Sequence, residues 1–444
     1  MYLVEQHIIT VNDKRYKDLD RICFLSKNLY NAALYIIKQE FLSTGKWIRA
    51  VDLNKKMVAE NNIDYRAMSG SSSQQVLMVL DKNLKSYFSA IKAWKRDNKK
   101  FTGCPKFPKY KHKTKGRNVF SYSYAQFKHR GDFIYFPKKE GLSPLKTNCK
   151  EGTVKQVRFV PKFDCYVIEV VYELIAKKQL DDNNRIMSID LGVNNLASIV
   201  TNVSNKPILI DGRRLKSINQ YYNKKRSDIQ QQLKKVNGKE NSRRLMSLTR
   251  RRNNKVKDYL HKASKEIINI CLKEDITTLI VGHNDGWKQN VNLGKRNNQN
   301  FVSIPFEMLI SMLRYKSERQ GLRFVEVNES HTSKCSSFDL EPVYHHDTYV
   351  GRRVRRGLFR TRGGILINAD INGSYNIMRK VKGDAAMPLT DLHHIVNRPY
   401  FSKTLLFFLD NSSSLTNPFN VIITVTALAS QYSSPGSDPY VTNP

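Results

Sequence analysis

The stretch Arg185-Ile186-Met187-Ser188-Ile189-Asp190-Leu191-Gly192-Val193-Asn194-Asn195-Leu196-Ala197 sets the interpretation of the whole chain. Apolar residues run into a single carboxylate, Asp190, as at the end of a buried strand. Gly192, two positions on, leaves room for a close approach to the backbone. A second β-like run, Leu196 to Thr201, follows at once. A third, Pro207 to Ile210, comes after a turn at Ser204-Asn205. An isolated Asp at a strand end is ordinarily a solvated turn residue, so its weight depends on whether a second carboxylate answers it.

The answer lies far along the chain, in Ile367-Asn368-Ala369-Asp370-Ile371-Asn372-Gly373-Ser374-Tyr375-Asn376-Ile377. Asp370 sits at the mouth of a helix, where it reads either as an N-cap or as a partner of Asp190. Asn372 and Asn376 are placed on its side of the helix. Ala369, Gly373 and Ser374 are small, as in a helix that something must approach closely. Strand, Asp, tight turn, strand, turn, strand is how an RNase H-type domain begins, and there the Asp holds a metal ion at the centre of a sheet.

Ser188-Ile189-Asp190-Leu191-Gly192-Val193-Asn194-Asn195 and Asn368-Ala369-Asp370-Ile371-Asn372 resemble the first and third RuvC motifs of TnpB proteins. These are transposon-encoded, RNA-guided DNA nucleases related to type V CRISPR effectors and Fanzors. The resemblance runs from the N-terminus to about Lys382. It implies an α+β multidomain fold with a RuvC-like, RNase H-type α/β nuclease domain, a small wedge β-barrel and an inserted helical recognition domain. Residues 1–15 would give the first barrel strand, 16–115 the helical domain and a basic Pro/Lys linker, and 116–180 the rest of the barrel. Residues 181–382 would form the nuclease domain, with a degenerate zinc-ribbon or basic loop at 335–364. Residues 383–444 read as a divergent, partly disordered tail.

The residue patterns agree in outline. Leu19, Ile22, Cys23, Leu29, Ala33, Ile36 and Ile37 recur at helical spacing, as do Val76, Leu80, Leu84, Tyr87, Phe88, Ile91 and Trp94. Phe120-Tyr124, Phe133-Phe136, Val154-Phe159 and Tyr166-Leu174 are short, aromatic or β-branched and separated by turn residues, as strands are. Arg213 to Lys273 reads as two basic helices broken near Gly238.

A two-metal nuclease needs several converging carboxylates. In most TnpB proteins the second RuvC motif ends its strand on a Glu; here the matching strand, Leu279-Ile280-Val281-Gly282, ends on Gly. Asp285 is one substitute. Glu329 is the preferred one, because it follows the strand Leu322 to Asn328, which in this fold lies parallel to the strand ending at Gly282. Neighbouring strands are about 4.8 Å apart, so a Glu just past one strand reaches the place its neighbour would have served. The resemblance is then to the subgroup with a relocated catalytic glutamate. It implies a catalytic and metal site of Asp190, Glu329 and Asp370, holding two Mg²⁺ or Mn²⁺ ions.

Charge supplies the partner. The chain carries 75 Lys plus Arg against 39 Asp plus Glu, a net charge of +36, with hydrophobic content of 40%. That is a folded protein with a polyanion partner, nucleic acid first among them. Lys106, Lys109, Tyr110, Lys113 and Arg117 lie in or beside a Pro-punctuated run in which cations alternate with aromatics. Arg250 and Arg251, Trp287 and Lys288, and Arg352, Arg353, Arg355 and Arg356 are the other expected contacts. Guide RNA from the transposon end and target double-stranded DNA are the partners the resemblance implies.

Many family members bind zinc through two Cys pairs; this chain keeps Cys335, with His345 and His346 nearby, and no zinc is expected. The six Cys read as reduced thiols of a cytoplasmic or nucleoid protein that is not secreted. Two alternatives stand beside the guided endonuclease. One is a nuclease-inactive, RNA-guided DNA-binding protein, which Gly282 favours. The other is an RNase H-fold transposase or recombinase without RNA guidance.

Overall fold

The computed structural model describes residues 1–204, 206–238, 240–284, 299 and 302–387, with short strands at 400–401 and 422–424. The fold is a mixed α/β multidomain one in two compact units, Met1–Ile175 with Pro418–Pro444, and Ala176–Asn417.

The first unit opens with β1 (Tyr2–Thr10), then four helices: α1 (Tyr16–Thr44), α2 (Ala50–Ala59), α3 (Ile63–Arg66) and α4 (Gly70–Arg96). The apolar stripe of α1 is buried from Leu19 to Ile37, and Gly45 ends the helix in a left-handed conformation, φ +69°, returning its N–H to Phe41. Six strands follow: β2 (Phe120–Ser123), β3 (Lys128–Arg130), β4 (Phe133–Tyr135), β5 (Leu145–Lys146), β6 (Thr153–Pro161) and β7 (Cys165–Glu173). The main sheet has the order Ile422–Thr424, β1, β7, β6, β2, all antiparallel.

The expected barrel is therefore corrected: among the described residues this sheet stays open. Two causes are visible. The Phe133–Tyr135 strand, expected as a barrel member, pairs with β3 and β5 in a separate three-stranded sheet. The edge strand β2 is only four residues long and packs against α4. Closure needs strands long and tilted enough to meet their opposite edge.

The second unit is built on β8 (Ile186–Leu191), β9 (Asn195–Thr201), β10 (Ile208–Asp211), β11 (Thr278–Gly282) and β12 (Arg323–Val327). They lie in the order β12-β11-β8-β9-β10, with Tyr400–Phe401 beyond β10. β9 runs antiparallel to β8 and β10, while β8, β11 and β12 are parallel. Parallel neighbours need crossovers. The basic helices α5 (Arg213–Asn237) and α6 (Arg243–Lys273) lie between β10 and β11, and α7 (Phe306–Gln320) precedes β12. A hairpin of β13 (Arg352–Arg355) and β14 (Leu358–Arg360) pairs with β15 (Leu366–Asn368), which leads directly into α8 (Ala369–Lys382). Of the basic loop expected at 335–364, residues 352–360 thus form a hairpin with its arginines exposed.

Helix α8 lies across the sheet at β8 and β9. Its small residues make this possible. A Cβ at Gly373 would stand 2.7 Å from Asp190 Oδ2. Ser374 Oγ accepts the Asp190 N–H at 3.0 Å and donates to the Ser198 carbonyl, and Ser188 Oγ donates to the Ser374 carbonyl at 2.7 Å. Tyr375, Ile377 and Met378 complete the core on this face with Ile186, Val200 and Ile280.

Candidate active site

Asp190 is the fifth residue of the central strand β8 and faces α8 at Gly373. Burial pushes its carboxyl well above the usual range, and the nearby charges of Glu329 and Asp370 raise it further; Arg353 works the other way. The three expected carboxylates are therefore electrostatic neighbours, although 180 residues of sequence separate the two aspartates.

Asp370 is held from two sides. Asn195, at the start of β9, donates Nδ2 to Asp370 Oδ2 at 2.8 Å, and Arg353 Nη2 lies 3.5 Å from Oδ1. It is not the N-cap. Asn368 is, its side chain accepting the N–H groups of Asp370 and Ile371. The Asp370 carboxylate is thus left for another use. Nor do Asn372 and Asn376 share its side. Successive helical residues turn about 100°, which sets Asn372 far round from Asp370. Both asparagines are fully buried and bind the segment after Glu329 instead. Asn372 accepts from Ser337 and donates to the Cys335 carbonyl; Asn376 donates to the carbonyls of Thr332 and Cys335.

Glu329 lies two residues beyond β12. Register pairs Gly282 with Val327 across parallel strands, so Glu329 follows two residues after the partner of Gly282. A Cβ built on Gly282 would stand 3.4 Å from the Glu329 Cβ, and only 2.4 Å from Ile377 Cδ1. The place where a side chain would leave position 282 is thus filled by Ile377 and bordered by Glu329. Thr332 secures the Glu329 carbonyl through its N–H at 3.2 Å and its hydroxyl at 2.7 Å. Lys380 of α8 donates to the carbonyls on either side, Asn328 at 3.0 Å and Ser330 at 2.7 Å. Burial raises the Glu329 carboxyl, and the charges of His283 and Lys380 offset part of that.

A cleft of about 730 Å³ opens beside Asp370, lined by Gly192 to Asn195, Arg213, Arg353, Arg356 and Asn368 among others. Oxygen donors of this kind suit a hard divalent cation such as Mg²⁺. Among the described residues, no group of three or more His, Cys, Asp or Glu is drawn together closely enough to hold a metal ion as it stands.

The expected nucleic-acid contacts divide. Lys106, Lys109, Tyr110 and Lys113 are exposed, with the Lys38 ammonium 4.3 Å from the Tyr110 ring centre. Arg117 makes a bidentate pair with Asp20 at 2.8 and 2.7 Å, and Tyr166 donates to the same carboxylate, which makes Arg117 a structural tie within the first unit. Arg251 is exposed and Arg250 half-buried on α6. Arg352, Arg353, Arg355 and Arg356 are all exposed on the β13–β14 hairpin. Asp285, Trp287 and Lys288 lie outside the described residues. Cys335 is buried with its thiol toward the Tyr344 carbonyl, while the His346 ring stacks on Tyr344 at 4.3 Å.

Sequence reasoning assigned no role to Asn195 or Asn284. Asn284 Oδ1 accepts the Glu329 N–H at 3.1 Å, and its Nδ2 donates to Glu329 Oε1 at 3.4 Å. A polar pair, His283-Asn284, directly after the apolar β11 was the available signal.

A family model described as a probable transposase, OrfB of the IS605 type, matches residues 168–288. A second, for the TNB domain of Cas12f1-like proteins, matches residues 306–377. Together they span the strand of Asp190, the segment of Glu329 and the helix of Asp370. The chain belongs to the TnpB family. It is 25% identical over 209 residues to the TnpB-like protein ORF457 of Acidianus two-tailed virus, covering 45% of this chain and 42% of that protein. It is 33% identical over 199 residues to the TnpB-like protein MJ0751 of Methanocaldococcus jannaschii, covering 42% of this chain and 66% of that one. The chain thus spans under half of the first relative's length and about two thirds of the second's. A looser structural likeness, TM-score 0.34 at 14% identity, extends over 84% of this chain and 98% of the protein in a Cas12f1–sgRNA–target DNA complex. The TnpB assignment agrees with the motifs around Asp190 and Asp370.

Proposed function

We propose that this TnpB-family chain is an RNA-guided, divalent-metal-dependent endonuclease of double-stranded DNA, with Asp190, Glu329 and Asp370 as its metal ligands. The observation that carries the reading is the placement of Asp190 on β8, Glu329 just beyond β12 and Asp370 at the start of α8, near enough that the charges of Glu329 and Asp370 act on Asp190. Ligands collect at that edge in open α/β sheets. The strand order β12-β11-β8-β9-β10, with β9 alone reversed among these five, supports an RNase H-type sheet. Glu329 stands beside the position that Gly282 leaves without a carboxylate.

Two bound Mg²⁺ ions would supply the activated water and the counter-charge for the leaving oxygen. The chain's own residues do the rest. Asn195 and Arg353 orient Asp370, Ser374 fixes the backbone of Asp190, and Thr332 and Lys380 fix that of Glu329. Arg213, Arg353 and Arg356 line the adjoining cleft, where guanidinium groups suit phosphates of an entering strand. RNA guidance rests on membership in the family.

The test uses protein co-expressed with RNA from its own locus, mixed with matched double-stranded DNA carrying a randomised flank, in Mg²⁺. Wild type is expected to retain and cut the DNA. Glu329→Gln should retain it and lose cutting by more than the roughly 10–100-fold that changes to supporting residues cost. Undiminished cutting by E329Q would remove Glu329 from the site. Retention without cutting by wild type would make the protein a guided binder. Neither retention nor cutting, with the RNA intact, would favour an unguided recombinase.

A further inference from the structure

The geometry points to Asn284 as the residue that positions the Glu329 carboxylate, an inference that rests on the reading of Glu329 as a cation ligand. Asn284 leaves β11 two residues after Gly282 and is half-buried. Its Oδ1 accepts the Glu329 N–H at 3.1 Å, and its Nδ2 reaches Glu329 Oε1 at 3.4 Å. The first bond dictates the second. A backbone N–H only donates, so the amide oxygen must face it, and the NH₂ group must then face the carboxylate. One side chain thus grips one residue at two points.

Glu329 needs this grip because of where it sits. β12 ends at Val327, so no ladder bond carries Glu329. Thr332 and Lys380 tie its carbonyl and those of its neighbours, which fixes the main chain and leaves the carboxylate free to turn. Among the described residues, Asn284 is the hydrogen-bond donor to that carboxylate. By engaging Oε1 it leaves Oε2 for a cation. A Glu placed on β11 itself would have needed no such support. A Glu moved beyond the end of the next strand borrows it from the residue that follows the vacated position.

The test measures Mn²⁺ affinity of the 444-residue chain freed of nucleic acid, by titration calorimetry or the free-Mn²⁺ paramagnetic signal, with thermal melts alongside. Wild type, Asn284→Ala, Glu329→Ala and the double variant are compared. N284A should weaken Mn²⁺ binding about tenfold or more, and E329A at least as much. In the E329A background N284A should cost nothing further, because its effect passes through Glu329. The same fold-loss in both backgrounds, or a lowered melt with unchanged affinity, overturns the proposal. E329A with wild-type affinity overturns instead the assignment of Glu329 itself. If N284A melts too low to titrate, Asn284→Asp keeps the acceptor for the Glu329 N–H and removes the donor. An altered Mn²⁺ affinity in N284D that vanishes in E329A supports the proposal, and an unaltered one, or a change that persists in E329A, sinks it.

Discussion

Asp190 carries a cost that its proposed role as a metal ligand would explain. Its carboxyl is raised well above the ordinary range, chiefly by burial and then by Glu329 and Asp370. Between the ordinary value and the raised one, the folded chain holds a proton that the unfolded chain has released. The slope of stability with pH is then negative, so the ion-free protein weakens as pH rises through that window. Asp190→Asn removes the penalty. D190N is expected to melt above wild type at neutral pH without divalent cation, with the gap closing toward acid, where both side chains are neutral. Added Mg²⁺ should narrow it as well, because a ligand that binds only the folded wild type stabilises it. Melts across pH, with and without Mg²⁺, check this; a wild type that melts above D190N in chelator contradicts it.

The contact between β11 and α8 shows why Gly282 is more than a missing carboxylate. A Cβ there would meet Ile377 Cδ1 at 2.4 Å, and Ile377 is fully buried. Gly282→Ala should therefore cost about 1–3 kcal/mol, the usual penalty of overpacking. Ile377→Val removes the obstructing methyl, and in that background the alanine should cost clearly less. Urea unfolding of the two single variants and the double one decides it, and simple additivity would mean that the two elements are not locked as described. Much of this region is legible in the sequence. The apolar run into Asp190 announces a central strand, and parallel neighbours bring Glu329 beside Gly282. What escapes does so for separate physical reasons. α2 buries only Leu53 and Met57, and α3 only Tyr65, so neither leaves a stripe strong enough to read. The β13–β14 hairpin is made largely of exposed arginines with no alternation to detect. The open sheet of the first unit reads as a barrel because pairing between distant strands leaves no local mark. Asn372 and Asn376 fall to the site by proximity in sequence, whereas their angle on the helix turns them toward the segment after Glu329.

Taken as a whole, the chain is a strong polycation, +36 in total, and part of that charge is concentrated on one hairpin. Replacing Arg352 and Arg355 together by Ala should weaken DNA binding about equally on all sequences. The slope of log affinity against log salt should shrink by roughly one for each phosphate no longer neutralised, about two here. Filter binding or anisotropy from low to moderate salt measures this, and an unchanged slope would show that the hairpin does not touch phosphate. Arg353 is left out because it also faces Asp370. Helix α8 has a consequence of another kind. It supplies Asp370, caps Asp190 through Ser374, and ties down both flanks of Glu329 through Lys380 and Asn376. Translation reaches it only after every strand of the central five and the whole arginine hairpin have been made. A chain still short of residue 369 carries two of the three carboxylates, but lacks Asp370 and the bonds by which α8 fixes Asp190 and the flanks of Glu329. On the proposed nuclease reading, affinity for nucleic acid would come before the capacity to cut it during synthesis, and an unfinished copy would leave the DNA it meets intact.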